Sequence, residues 1–593
     1  VILYGLSIQA WITIIVLLLL IVANVRTKIP PEFLSMGALG ILLVCRAIDE
    51  HTALSGFASD SVIVSGIQDI LIVGLMQSGF VTWIVQTFLG RPSKYLMSLL
   101  RLCFPVSLLS AVMDNGTVTS MFVNIVKMWS RKIKTAPSML LMPVAYVALL
   151  GGSLTILGSA SNIVLSGLYT ENTGVRLNVF EITLPGLFCF ATGVIAMYFL
   201  HKSLPERGTS DEAFANASEY TVELLVPTEN AAVGSTVAES GLDNVPGGRL
   251  IEIVRFDKEV ISPVPAEEFI LGGDRLVYAG EVDEILNLRR TNGLVNANHH
   301  VFSLSEVDRS RRLRTGYIKY GSPLIGKKME DTSFESDNNL TLVAVSRKGE
   351  RIRQSPREIV LEPGDSLLIE CPPKGGKDSA ALSRSLQFFE SDDTIVVGRK
   401  TVIAPIIITL MLLLQATGVL TLLQAVLLAA LAMILTGCAT TTQAREGIGF
   451  GTLIVIACAI GFGKAIQENG LAEVAARAFV KLSAGSPFLL LALLSLGAIL
   501  LTTFLNDMVA AAVFFPVVYQ CTMLADCNVL PFVLATMLSV NASYASPYAS
   551  PVNLAVFAPG GYTFMDFVKF GVPMSLVQLA SILFIIPLLY PLN

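Results

Sequence analysis

Charge is what this sequence has little of: Asp, Glu, Lys and Arg make up 15 % of 593 residues, and only four residues are histidine. A water-soluble chain of this length could hardly sustain 53 % hydrophobic residues and a mean hydropathy of +0.66, so lipid must be its solvent. Eight cysteines include no CxxC pair and no histidine partner at metal spacing, which leaves zinc and dithiol redox chemistry unsupported. No GxGxxG run and no GxxxxGK(S/T) run occurs, so neither dinucleotide binding nor ATP-driven pumping is expected. No nucleophile with a partnered base points to an intramembrane enzyme, and no Thr-Val-Gly-Tyr-Gly filter points to a potassium channel.

The charges that are present are segregated. Residues 203–399 hold 32 acidic and 23 basic side chains, leaving 14 and 18 for everything else. The middle therefore reads as a soluble insert and the flanks as the membrane part. Apolar runs at Trp11–Ala23, Leu34–Val44, Ile63–Leu89, Met139–Tyr169 and Phe180–Leu200 predict five spans. Thr401–Leu420, Leu422–Ile434, Thr452–Ile466, Phe532–Phe557 and Val568–Leu589 predict five more. The first run lacks a basic leader and a small-residue cleavage site and reads as a span, not a signal peptide.

With alternating spans, Arg26, Lys28, Arg91, Lys94, Lys127, Arg131, Lys132 and Lys134 fall on the side of the insert, which the Lys/Arg bias makes cytoplasmic. Asp49, Glu50, Asp60 and Glu171 fall opposite. Cys521 and Cys527 then lie near the outer face, where free thiols are favoured over a disulfide. The sequons at Asn216 and Asn339 are cytoplasmic and those at Asn115 and Asn541 intramembrane, so none should be glycosylated.

Sliding the second flank onto the first by about 391 residues superimposes several polar features. Gln77-Ser78-Gly79 meets Glu468-Asn469-Gly470, and Met113-Asp114-Asn115 meets Leu505-Asn506-Asp507. Gly158–Asn162 meets Ala549–Asn553, and Phe180-Glu181 is echoed by Met565-Asp566. Five spans per copy, an odd number, predict two inverted repeats, which let a carrier face either side by equivalent moves.

Two segments, Ser107–Asn124 and Leu501–Pro516, are too polar to face lipid and read as one re-entrant hairpin in each repeat, with tips near the midplane. Asp114 and Asp507 sit at those tips; each either binds a cation or caps the second arm of its hairpin. Gly158–Asn162 and Ala549–Asn553 interrupt apolar helices, freeing carbonyls for a cation and amide N–H groups for an anion. Carbonyls, amides and hydroxyls suit Na⁺, and a satisfied helix kink is the alternative. Arg101 and Lys464 are the nearest basic groups, expected to snorkel or pair with carboxylates.

At these residues the chain resembles the divalent anion to sodium symporter family of the ion transporter superfamily, in particular its sulfate-permease-like branch with TrkA-C domains. Leu150-Gly151-Gly152-Ser153 through Asn162 is similar to the family's Gly-Gly-Thr…Gly-Thr-x-x-Asn break. Asp114-Asn115-Gly116 and Asn506-Asp507-Met508 stand where the family carries Ser-Asn-Thr or Asn-Asn-Thr, and Ala558–Tyr562 resembles its Gly-Pro-Gly-Gly-Tyr run. The resemblance implies a homodimeric elevator transporter coupling Na⁺ to sulfate or a similar small dianion. It implies one Na⁺ site at Asp114, Asn115, Gly158 and Asn162 and a second at Asn506, Asp507, Ala549 and Asn553. Gly116, Ser159, Ser550 and Pro551 would line the anion cavity, with Asn115, Asn162, Asn506 and Asn553 beside them. Both tips depart from the family by lacking the final Thr and carrying an Asp, so a proton-coupled carrier or exchanger stays open. Dicarboxylate and phosphate stay open as cargo, and a ligand-gated channel is the rival of another class.

The insert repeats by about 92 residues: Val233–Glu239 with Ile325–Asp331, Ile251–Arg255 with Val343–Arg347, and Ile270–Leu276 with Val360–Leu367. These α+β lobes resemble TrkA-C domains, which implies pairing and a small ligand. Gly273-Asp274 and Gly364-Asp365 read as β-turns, and His299-His300 as a solvated linker. The expected division is 1–202 and 396–593 for the α-helical polytopic membrane repeats, and 203–295 and 296–395 for the two lobes. No organic cofactor and no nucleic-acid partner are expected.

Overall fold

A computed structural model describes residues 6–206, 398–593 and the strands and turns of the insert between 221 and 388. Residues 27–28, 91, 93–94, 134, 207–220 and 548, and several insert loops, lie outside the described residues. Asn216, Asn339, His299-His300, Gly364, Lys28, Arg91, Lys94 and Lys134 are therefore not placed, nor are the side chains of Arg26, Arg131 and Lys132. The chain divides into two compact units, 1–206 with 394–593, and 207–393.

The first flank forms α1 (Ile8–Arg26), α2 (Pro31–Val44), α3 (Glu50–Ser55), α4 (Asp60–Gln77), α5 (Phe80–Phe88), α6 (Tyr95–Ser110), α7 (Asn115–Ile133), α8 (Ser138–Gly152), α9 (Ala160–Thr173) and α10 (Thr183–Leu200). The second forms α11 (Arg399–Ala416), α12 (Leu422–Leu435), α13 (Thr441–Gly447), α14 (Phe450–Glu468), α15 (Leu471–Leu482), α16 (Pro487–Phe504), α17 (Asp507–Leu524), α18 (Val529–Val540), α19 (Pro551–Phe557) and α20 (Phe564–Leu589). Nine of the ten helices in the second flank begin about 391 residues after their counterparts.

The local causes are matched as well. The Gln77-Ser78-Gly79 and Glu468-Asn469-Gly470 runs end α4 and α14 because each glycine takes a left-handed conformation, φ 78° at Gly79 and 73° at Gly470. The apolar run Ile63–Leu89 is thereby two helices and not one span, since Gly79 turns the chain before α5.

Among the described residues, seven helices are long and apolar enough to cross a membrane: Glu50–Gln77, Thr183–Ser203, α11, α14, α16, α17 and α20. Six shorter apolar helices accompany them: Ile8–Ala23, α2, α6, α8, α12 and α18. Met139–Tyr169 is broken into α8 and α9, Leu34–Val44 and Leu422–Ile434 give only 14-residue helices, and α16 and α17 qualify by composition. Leu18, Leu19 and Val22, Leu427, Leu428 and Leu431, and Phe584 and Leu588 stand exposed, as side chains facing lipid do. The chain is an integral membrane protein.

The flanks interlock within their unit. Tyr146 Oη donates to Tyr544 O (2.7 Å), Tyr562 Oη accepts from Met142 N (2.9 Å), and Gln578 Nε2 donates to Cys189 O (2.9 Å). Each joins residues about 400 apart in sequence, which places the core between the two flanks.

The insert holds two antiparallel sheets. One runs Asn244–Val245, Gly248–Arg255, Arg275–Gly280, Thr221–Leu225, Val295–Asn296; Glu259–Ile261 pairs with Gly248–Arg255. The other runs Glu350–Arg351, Thr341–Arg347, Ser366–Cys371, Arg312–Ile318, Leu386–Phe388. Their registers shift at corresponding places, Leu250/Glu252 and Leu342/Ala344. In the first lobe Arg255 Nε donates to Asp274 (3.1 Å), while Asp274 accepts from Leu271 N (2.9 Å). In the second, Arg347 Nε donates to Asp365 (2.8 Å), while Asp365 accepts from Glu362 N (2.8 Å). The hydrogen bond to each Asp raises the pKa of its guanidinium above the ordinary Arg value. The Gly273-Asp274 turn is thus fastened to the strand before it by an arginine fork.

Candidate functional site

The site is built from two hairpin tips and two helix breaks. At the first tip, α6 ends at Ser110 and α7 starts at Asn115. Asp114 Oδ2 accepts from Thr117 N (3.0 Å), so Asp114 does cap the second arm. In the amide orientation that its neighbours require, Asn115 turns its nitrogen to Ala148 O (3.0 Å) and Gly158 O (2.9 Å), beside Ser110 Oγ. At the second tip Asn506 caps α17, its Oδ1 accepting from Met508 N (3.0 Å), and Asp507 begins the helix, 7 % exposed. Asp114 lies within electrostatic range of both Asp507 and Asp69, a carboxylate on α4 whose Oδ2 accepts from Gly449 N (2.9 Å).

The first break spans residues 153–159 and contains one 3₁₀ turn, Ile156–Gly158. The second spans residues 541–550. Both are longer than the five-residue interruptions expected at 158–162 and 549–553, and Asn162 and Asn553 fall inside the first turn of the following helix.

Their amides span the breaks in the same way. Asn162 Nδ2 donates to Gly152 O (3.1 Å) and Thr155 O (3.3 Å), and Asn553 Nδ2 to Ser543 O (2.6 Å) and Ser546 O (2.9 Å). The hairpins are tied to these breaks by equivalent hydroxyls: Ser110 Oγ donates to Ala148 O (2.7 Å) and Thr502 Oγ1 to Val540 O (3.1 Å). Gly158 is held so tightly that a β-carbon would meet Gly152 O at 2.6 Å and Ser110 O at 2.7 Å. The tip and break of the first flank, Asn115, Gly158 and Asn162, are thus brought together.

The two amides differ at their oxygens. Asn162 Oδ1 accepts from Asn541 Nδ2 (2.9 Å), a bond between the flanks. Asn553 is fully buried and its Oδ1 has no partner among the described residues, nor has Ser543 Oγ beside it. Buried acceptors left open in this way suit a hard cation taking oxygen ligands. Ala549 is buried as well.

Gly116 and Pro551, expected in an anion cavity, do meet, 3.7 Å from a β-carbon on Gly116 to Cβ of Pro551. With Asp114, Thr117, Ser120 and Asn124 they line a cavity of about 490 Å³. Ser159 and Ser550 are buried; Ser159 Oγ bonds Ser161 Oγ (2.8 Å) and Ser550 Oγ accepts from Val552 N (3.4 Å). No group of three His, Cys, Asp or Glu side chains converges among the described residues.

Lys464 pairs with Glu171 (2.9 Å), and Arg101 donates to Leu89 O (3.3 Å). Cys521 and Cys527 stand as separate thiols. Sequence reasoning did not single out Asp69 or Gln68, whose Nε2 donates to Val112 O (3.1 Å) and Leu157 O (2.7 Å). Two polar residues inside the apolar run Ile63–Leu89 were the available signal.

Comparison with known proteins places this geometry. The profile described as "Citrate transporter" matches residues 15–468 and 411–592. The chain belongs to the citrate transporter family. It is a transporter, and the family and its relatives are not enzymes. It is 27 % identical over 574 residues to a Chlamydomonas reinhardtii protein proposed as a sulfur deprivation response regulator, covering 93 % of this chain and 97 % of that one. An uncharacterized transporter of Synechocystis is 26 % identical over 98 % of this chain and 97 % of its own length. The Chlamydomonas sodium/sulfate cotransporter 2 is 26 % identical over 61 % of this chain and 42 % of its own.

Proposed function

We propose that this transporter is a secondary active carrier coupling Na⁺ to a small divalent oxyanion, sulfate first. The observation that carries the reading is the pair of helix breaks, each spanned by an Asn amide and tied to its hairpin by a hydroxyl, with Asn553 Oδ1 left buried and open. Such an arrangement offers carbonyl and amide oxygens to a cation and helix ends to an anion at the same depth. Gly116, Ser159, Ser550 and Pro551 are assigned to the anion. The first cation site takes Asp114, Asn115, Gly158 and Asn162, and the second Asn506, Asp507, Ala549 and Asn553. Sulfate is preferred among oxyanions because relatives are named sodium/sulfate cotransporters.

The matched helix starts support two inverted repeats moving as an elevator, with α6–α7 and α16–α17 as re-entrant hairpins. The remaining assignments are a homodimer, a plasma-membrane location, and two cytoplasmic TrkA-C-like lobes that bind a small ligand. Asp114 and Asp507 favour proton coupling as the second reading, since a buried carboxylate can itself carry the coupling charge. Purified protein in vesicles should take up labelled sulfate under an inward Na⁺ gradient and not under a choline gradient. Equal uptake in both would refute Na⁺ coupling, and uptake following an imposed pH gradient would establish the second reading.

A further inference from the structure

The cavity beside the first hairpin tip is lined mainly from one helix. Thr117, Ser120, Met121 and Asn124 face it from α7, Asp114 from the tip, Met76 from α4 and Pro551 from α19. Residues 117, 120 and 124 are three and four apart, so they form one stripe running away from the tip along the helix. Asp114 is the one formal charge among the lining side chains. Ser120 Oγ has its proton engaged on Gly116 O (2.8 Å), and Asn124 Oδ1 is buried with no partner among the described residues. An acceptor without a donor in that position calls for water or a cation.

The corresponding face of α17 carries none of this. Val509, Ala512 and Pro516 stand where Thr117, Ser120 and Asn124 do, about 392 residues earlier. A hairpin arm of this kind therefore folds without a polar stripe, and the stripe on α7 has a reason other than packing. Lys127 follows one turn beyond Asn124, is 4 % exposed and is not among the lining side chains.

We propose that this cavity is the vestibule through which the coupling cation exchanges between the Asp114 tip and the aqueous side where α7 ends, passing Ser120 and Asn124 on the way. The inference rests on the cation-coupled reading above for its ion, and adds a route that serves one side only. It is a route for a monovalent cation and not for the anion, because the one charge in the lining is negative.

The test is thiol labelling of Asn124→Cys in the full chain in sealed vesicles of known orientation, read at residue 124 by mass spectrometry. Impermeant cationic and anionic methanethiosulfonates of similar size are compared from each side. The cationic reagent should react about tenfold faster than the anionic one, from the α7–α8 side only, and Asp114→Asn should abolish the preference. Ser120→Cys serves as the second position where Asn124→Cys does not fold. No reaction at either position, a faster anionic reagent, or a preference unchanged by Asp114→Asn would each overturn the proposal. A cation preference that external Na⁺ does not slow would leave the vestibule standing and reject Na⁺ as the coupling ion.

Discussion

Replacing Asn553 by Ala separates a structural amide from an ion ligand. Its Nδ2 makes two buried bonds, to Ser543 O at 2.6 Å and Ser546 O at 2.9 Å, within a break that has no helical ladder of its own. Losing both leaves two carbonyls short of a donor, a destabilisation of about 2–4 kcal/mol. The open Oδ1 makes a second, separable contribution. A cation that binds only the folded state at a hundred times its dissociation constant adds about 2.7 kcal/mol, so the wild-type unfolding midpoint should be higher in NaCl than in choline chloride. Asn553→Ala should lower the midpoint in both salts and remove most of the difference between them. Asn162→Ala should lower the midpoint comparably and keep more of the difference, because Asn541 already occupies the Asn162 oxygen at 2.9 Å. Unfolding of detergent-solubilised protein followed by fluorescence reads both quantities. A full Na⁺ response in Asn553→Ala would refute the assignment of its oxygen to a cation.

Two further outcomes follow from single contacts. Gln68→Leu keeps the volume but strips the donors from Val112 O and Leu157 O, and should cost about 2 kcal/mol in the same thermal assay; an unchanged midpoint would show that those carbonyls find water instead. In the insert, Arg347→Met leaves Asp365, whose side chain is 1 % exposed, with only the Glu362 N–H among the described residues. Because the arginine is itself 28 % exposed, the cost should be roughly 2 kcal/mol, below the range for a fully buried pair. Hydrogen exchange should then speed up in strands 341–347 and 366–371, and protection equal to wild type would refute it.

The membrane character and the position of the insert were legible because composition alone demands them. The tips were legible because Asp114 and Asp507 are too costly in lipid to be incidental. The extent of the second break was not. Ala542, Ser543, Ala545 and Ser546 are small residues that sit in membrane helices without disturbing them, and the helix fails ten residues before Pro551 because Asn553 and Thr502 compete for its carbonyls from elsewhere in the chain. Nor does periodicity locate Asn541, which the sequence offered only as a sequon. Its amide reaches Asn162 across 379 positions, and no local pattern encodes such a partner.

The departures from the match between the flanks are therefore more informative than the match. Hydroxyls at 110 and 502 and amides at 162 and 553 keep the same bonds, which fixes the frame in which the other positions differ. Where the second flank supplies Asn541 to quench the Asn162 oxygen, the first offers Leu150, and the Asn553 oxygen stays open. Where the first flank lines a cavity with Thr117, Ser120 and Asn124, the second offers Val509, Ala512 and Pro516. On the duplicated reading, the two candidate cation sites are unequal in this conformation: the first has an aqueous vestibule but a satisfied amide, the second an open amide but no polar stripe beside its hairpin. On that reading, inequality of this kind would let the two cations bind and leave in a fixed order.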